Sequence, residues 1–204
     1  MEINWDLHPI QSILKLGRLG LIPRGSILLL AKYFYVPQTS TNDTRVIVPI
    51  KFEDLTPHLV QYHIETLKLG QELAIQSQVF DKHGNQRGHM LFTDCQESHD
   101  TDSNFAKWLP ARWDIKSVDV YRSGRSHHLY FPAILPESEW RRFLGNMLLW
   151  NPRPGLPQFI DERWVGHALE HSYTAMRWSA NSNQHKHAPV YTSTQPLTTT
   201  APNP

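Results

Sequence analysis

Two hairpins constrain this chain more than any other feature. Leu73–Phe80 and Gly88–Phe92 are apolar runs of strand length, and Asp81-Lys-His-Gly-Asn85 between them has the residues of a hairpin loop. Val118–Tyr121 and His128–Phe131 repeat the arrangement around Ser123-Gly-Arg-Ser126. Helical spacing flanks these hairpins. Thr56 followed by Pro57 reads as an N-cap with proline at the first helical position. Leu59, Val60, His63, Ile64 and Leu67 share one face, and Gly70 ends the run. Trp140, Phe143, Leu144, Met147 and Leu148 recur at three- and four-residue steps before Pro152. Asp161 opens another helix with Trp164, Val165, Ala168 and Leu169 inward, and Tyr173–Ser179 suits a further strand. Ile27–Val36 reads as a buried strand or a core helix, whereas Ile13–Leu21 is interrupted by Gly17 and Gly20. Strands and helices around one sheet predict an α+β or α/β domain.

The chain has 204 residues, 40% of them hydrophobic, which is enough for one well-cored domain. The pattern divides it into an N-terminal extension over 1–70 that packs on a core over 71–187. A Thr/Pro-rich stretch without periodicity follows over 188–204 and is expected to be a disordered tail. The start has no basic, apolar signal pattern, no apolar run reaches bilayer length, and Cys95 is the single cysteine. A soluble, cytoplasmic protein without a membrane partner is the expectation. Net charge is +1, from 20 basic and 19 acidic residues, so any polyanion site must be local rather than domain-wide. Of twelve histidines, His8, His58, His83, His185 and His187 fall in loop-like sequence and read as surface residues.

Three polar segments sit at strand ends or turns, where site residues are mounted on rigid scaffolds. They are Asp94, the run Arg125-Ser-His-His128, and Asp161. Phosphoryl transfer between nucleotides needs carboxylates for a divalent ion, and Mg²⁺ takes one or two of them plus phosphate oxygens. Each residue also has an ordinary explanation. Asp161 is a favoured helix N-cap, Ser123-Gly-Arg-Ser126 is plain turn chemistry, Asp94 can simply end a strand, and Arg177 can stack on Trp178 at the surface.

Taken in order, Asp94-Cys95-Gln96, Ser126-His127-His128, Ile160-Asp161, Met176-Arg177-Trp178-Ser179 and Lys186 resemble the archaeo-eukaryotic primase superfamily, which includes the primase-polymerases. Its marks are an Asp-x-Asp pair at a strand end, a Ser-x-His segment, a later hydrophobic-Asp and an Arg-x-Ser…Lys segment. The resemblance spans roughly 72–189 and implies an α+β fold with a mixed or antiparallel, RRM-like sheet. It implies that Asp94 and Asp161 hold Mg²⁺ or Mn²⁺, with Glu97 as a further candidate ligand. His128 would contact the phosphates of a nucleoside triphosphate beside Ser126 and Arg125, and Arg177 and Lys186 would meet phosphate or template. The reaction would be attack of a 3′-hydroxyl on the α-phosphate. Single-stranded DNA or a primer–template would be the partner, alongside a helicase or another replication or mobile-element protein.

One departure matters. Gln96 stands where the second carboxylate of the pair belongs, and a neutral amide is a poor Mg²⁺ ligand. Adjacent Glu97 points to the other face unless the backbone turns, and Asp100 or Asp102 would need a loop that folds back. Two readings stay open: a nucleotidyltransferase, or a primase-like module that only binds nucleic acid or nucleotide. The module would use Trp113, Tyr121, Arg122, Arg125, Tyr130, Arg177 and Trp178. A remoter alternative is a zinc peptidase, because His167-Ala-Leu-Glu170-His171 matches H-x-x-E-H. No Asp or Glu follows His171 to supply that family's downstream ligand, so a structural role for the two histidines is the expectation.

Overall fold

The computed structural model describes residues 3–34, 45–96, 111–151, 158–182 and 184–197. In chain order its elements are α1 (Ile10–Arg18), β1 (Ile27–Phe34), β2 (Val46–Lys51), α2 (Pro57–Glu65), β3 (Gln71–Phe80), β4 (Gln86–Cys95), β5 (Ser117–Ser123), β6 (Ser126–Leu135), α3 (Glu137–Leu148), α4 (Glu162–His171), β7 (Ala175–Arg177) and β8 (Val190–Pro196). The strands form one open antiparallel sheet in the order β2-β1-β3-β4-β6-β5-β8, with β7 paired to β3. The fold is therefore α+β, as expected.

Local chemistry accounts for most boundaries. The Thr56 hydroxyl accepts the Leu59 amide at 3.2 Å and Pro57 occupies the first turn, so α2 starts where capping predicts. Gly124 takes φ +72° in the tight turn between β5 and β6, a conformation that only glycine adopts cheaply. Ile27–Phe34 resolves as a strand. Gly17, expected to break an apolar run, lies inside α1, where the Phe52 ring occupies the space a Cβ would need; Gly20, at φ +73°, follows the helix end. Val46–Lys51, whose pattern is mostly exposed, is an edge strand with no clear alternation to reveal it.

Side chains alternate across the sheet and build a core on each face. Leu91, Cys95, Val120 and Leu129 meet Trp140, Phe143 and Val165 of α3 and α4. Met90, Phe92, Tyr121 and Tyr130 meet Ile13 of α1, Val60 of α2 and Trp178. The second core corrects one expectation: Tyr121, Tyr130 and Trp178 are sealed inside it and Trp113 is buried against α3, so none offers a stacking platform for bases. His8 is likewise buried, accepting the Ile10 amide at Nδ1 and donating from Nε2 to the Trp178 carbonyl. Within residues 188–204, expected as a disordered tail, Val190–Pro196 form β8 instead. Its alternating Val, Thr and Ser residues suit a half-exposed edge, and it pairs with β5 from Val190 to Pro196. No helix of the described residues is long and apolar enough to cross a membrane.

One polar knot fixes α1 to the sheet. Buried Asp119 accepts Ser12 Oγ at 2.9 Å, Lys15 Nζ at 2.9 and 3.1 Å, and Thr194 Oγ1 at 2.7 Å. Replacing Asp119 by Ala strands these donors and is expected to lower unfolding stability by about 2–3 kcal/mol in urea titrations.

Candidate functional site

The site begins where the sheet splits. β3 pairs with β4 only near their hairpin, through Gln78, Val79 and Phe80. Farther along, β7 takes over the edge of β3 at Ala74–Gln76. The released edge of β4 finds a different partner: an isolated antiparallel bridge joins Cys95 to Ile160. The Gln96 amide donates to the Phe159 carbonyl at 2.9 Å and the Asp161 amide to the Asp94 carbonyl at 3.3 Å. Asn151 steadies this insertion, its Oδ1 accepting the Phe159 and Ile160 amides. Two aspartates far apart in sequence thereby become neighbours.

On the other side of β4, register places His128 of β6 directly opposite Asp94, with His128 Nε2 3.9 Å from Asp94 Oδ1. A cleft of about 1000 Å³ opens over this corner. Asp94, Gln96, Arg125, Ser126, His128, Asp161, Arg177 and Lys186 all line it. Of the candidate site residues drawn from the sequence, Glu97, Asp100 and Asp102 lie outside the described residues.

Electrostatics within the cleft are unequal. Burial, reinforced by the nearby Asp161 carboxylate and opposed by the Arg177 guanidinium, raises the Asp94 carboxyl to about 7. The 30% of its side chain open to the cleft admits water, so burial acts below full force. Burial drives His128 the other way, well below the usual imidazole range, with Arg177, His185 and His127 adding to the effect. His128 is thus neutral, and its approach to Asp94 is not an ion pair. Its Nδ1 is buried without a hydrogen-bond partner among the described residues.

Arg177 is buried rather than stacked at the surface. Its guanidinium donates to the Ser123 hydroxyl at 2.6 Å, to the His187 carbonyl at 3.2 Å and to the Ser179 carbonyl. Glu72 anchors the following loop: although burial alone would raise its carboxyl, donors from Ser179, Ser182 and Asn181 hold it below the ordinary value. Lys186 rides on that loop, exposed at the cleft rim.

Two ordinary roles also hold. Asp161 Oδ1 accepts the Arg163 and Trp164 amides at 2.9 and 3.2 Å, making it the N-cap of α4. The Ser126 hydroxyl donates to the Ser123 carbonyl at 3.1 Å and so closes its hairpin. Sequence reasoning missed a further group. Arg45, just before β2, lies 5.1 Å from the Tyr33 ring centre and 5.5 Å from that of Tyr173, and all three line the cleft. Its Nε and Nη1 are buried without hydrogen-bond partners among the described residues. No motif marks this trio, because its members come from three separate segments.

The donor set at the β4 corner is of the kind a hard divalent ion takes: the carboxylate oxygens of Asp161 and of Asp94, whose carboxyl is raised by burial first and by the Asp161 charge second, beside a neutral imidazole and a fixed guanidinium. A family model described as AEP-like, archaeo-eukaryotic primase 1D-like, matches residues 51–190. No curated protein and no solved structure matches the chain.

The strained carboxyl has a consequence for stability. In the unfolded chain Asp94 loses its proton near pH 4, whereas in the fold it keeps it to about 7. Across that window the native state holds more protons, so stability falls as pH rises. Asp94→Asn is expected to stabilise the protein by on the order of 2 kcal/mol at pH 7.5 in chelator-containing buffer, and by almost nothing at pH 3.5, in urea melts.

Proposed function

The chain belongs to the archaeo-eukaryotic primase 1D-like family, and on that premise we propose that the cleft carries out metal-dependent, template-directed nucleotidyl transfer. The observation that carries this reading is the convergence of Asp94 and Asp161 beside His128, through the Cys95–Ile160 bridge, at the floor of a cleft large enough for a nucleotide. Asp94 and Asp161 would hold Mg²⁺ or Mn²⁺. Such an ion neutralises charge on the phosphate and on the attacking and departing oxygens. The 3′-hydroxyl oxygen would give up its proton to solvent and bond to the α-phosphorus of a nucleoside triphosphate, and the bond to the bridging oxygen would break to release pyrophosphate.

The chain's own residues divide the remaining work. Neutral His128 presents an N–H that hydrogen-bonds a phosphate oxygen without neutralising the carboxylates. Arg177, already oriented, supplies a fixed cation, and exposed Lys186 and Arg125 add further positive charge at the rim. Ser126 meets the nucleotide only if its turn bond to Ser123 is exchanged; otherwise its role is to shape the hairpin. Arg45 between Tyr33 and Tyr173 suits a single strand, offering charge to a phosphate and rings to bases.

Gln96 favours a second reading, a binding module that retains the cleft without turnover, because the position carries no charge. Primer extension on a single-stranded template with Mn²⁺ separates the two. Wild type is expected to extend the primer, and Asp94→Asn and Asp161→Asn to reduce the rate at least about 100-fold. The Asn side chain at 161 still caps α4. Tight oligonucleotide binding with no synthesis under Mg²⁺ or Mn²⁺ would reject catalysis and leave the module. For the strand itself, Arg45→Met should weaken single-stranded oligonucleotide binding about 10-fold and reduce the salt slope of log affinity by about 0.7, measured by fluorescence anisotropy.

A further inference from the structure

We propose that α4 carries a separate site for a Zn²⁺-class ion, formed by His167, Glu170 and His171 at the edge of the cleft. One ligand atom from each residue lies within 4.8 Å of the others, with His167 Nδ1 4.0 Å from Glu170 Oε2. Ligands of a tetrahedral zinc are about 3.3 Å apart, so side-chain rotations of an ångström or so close the set. Positions i, i+3 and i+4 share one helical face, which is why a single helix can present all three.

Three independent features suit a cation here. His171 Nδ1 donates to the His167 carbonyl at 2.9 Å, which assigns the proton to Nδ1 and the lone pair to Nε2, the arrangement a metal-binding histidine needs. His167 Nδ1 is buried and has no hydrogen-bond partner among the described residues, so a ring nitrogen that an ion could take as ligand is already withdrawn from water. The set also lies in the last turn of α4, where the helix dipole favours positive charge. Arg141 holds that end in place by donating to the Leu169 carbonyl at 3.3 Å and to Ser172 Oγ at 2.7 Å.

The ligand type separates this site from the one at Asp94 and Asp161. Two imidazoles and one carboxylate select Zn²⁺ and its neighbours, whereas oxygen donors select Mg²⁺. Both His167 and His171 line the cleft, so the fourth coordination position opens toward it and takes water or a phosphate oxygen. Glu170 is a ligand in this arrangement, not the base of a peptidase. The site does not depend on the cleft being a polymerase centre.

The test is a titration of the chelator-stripped full chain with Zn²⁺ against a chromogenic competitor, paired with Co²⁺ absorption spectra. Wild type is expected to bind one Zn²⁺ with a dissociation constant of about 1 μM or tighter and to give an intense tetrahedral Co²⁺ spectrum. The double variant His167→Ala/His171→Ala should lose at least about 30-fold in Zn²⁺ affinity and show no such spectrum, with unchanged far-UV circular dichroism. Asp94→Asn should leave Zn²⁺ affinity unchanged, and millimolar Mg²⁺ should not displace the Zn²⁺. Equal affinity in wild type and double variant, or wild-type affinity no better than millimolar, overturns the site. Loss of affinity in Asp94→Asn instead would move the ion to the carboxylates and equally overturn it.

Discussion

A single antiparallel bridge, Cys95 to Ile160, is what makes one site out of two stretches of chain. It exists because β3 abandons β4 shortly after their hairpin and leaves a row of backbone donors and acceptors open. Unpaired groups at a sheet edge seek partners. Here the segment before α4 supplies them, bringing Asp161 to the Asp94 carbonyl and setting the axis of the helix behind it. Without that bridge the acids would have no reason to meet, and α4 would lose the backbone pairing just before its first turn.

The opposing electrostatic demands of the cleft follow from the same crowding. Two carboxylates and a guanidinium within one recess repel and attract in ways water would normally damp. The fold accepts this because the polar groups around them are secured by rigid elements: His128 by the β4–β6 ladder, Arg177 by Ser123, and the loop beyond it by Glu72. Local instability of this kind is typical of sites that await a ligand.

Sequence patterns foretold the two hairpins, the cap of α2 and the faces of α3 and α4, because turn chemistry and period are local properties. They also brought Asp94, His128 and Asp161 to attention, through motif order rather than geometry. Other features were not legible for physical reasons. The need for glycine at 17 inside α1 comes from Phe52, a tertiary neighbour whose ring fills the space of a Cβ. The polar edge strand β8 looks like a tail until β5 offers it a ladder. Tyr121, Tyr130 and Trp178 resemble a binding surface in sequence, yet a buried hydrogen bond from Trp178 Nε1 to the Tyr130 hydroxyl ties two of them into the core. Arg45 and its two tyrosines carry no motif at all, since only folding collects them.

The binding of Arg177 to the protein itself bears on how the cleft meets an anion. Three of its five N–H donors are committed to Ser123, Ser179 and His187. Its side chain has therefore surrendered its torsional freedom during folding rather than on association. A guanidinium prepared in this manner recognises one trajectory of approach and rejects others, so selectivity there is steric and directional more than a matter of charge.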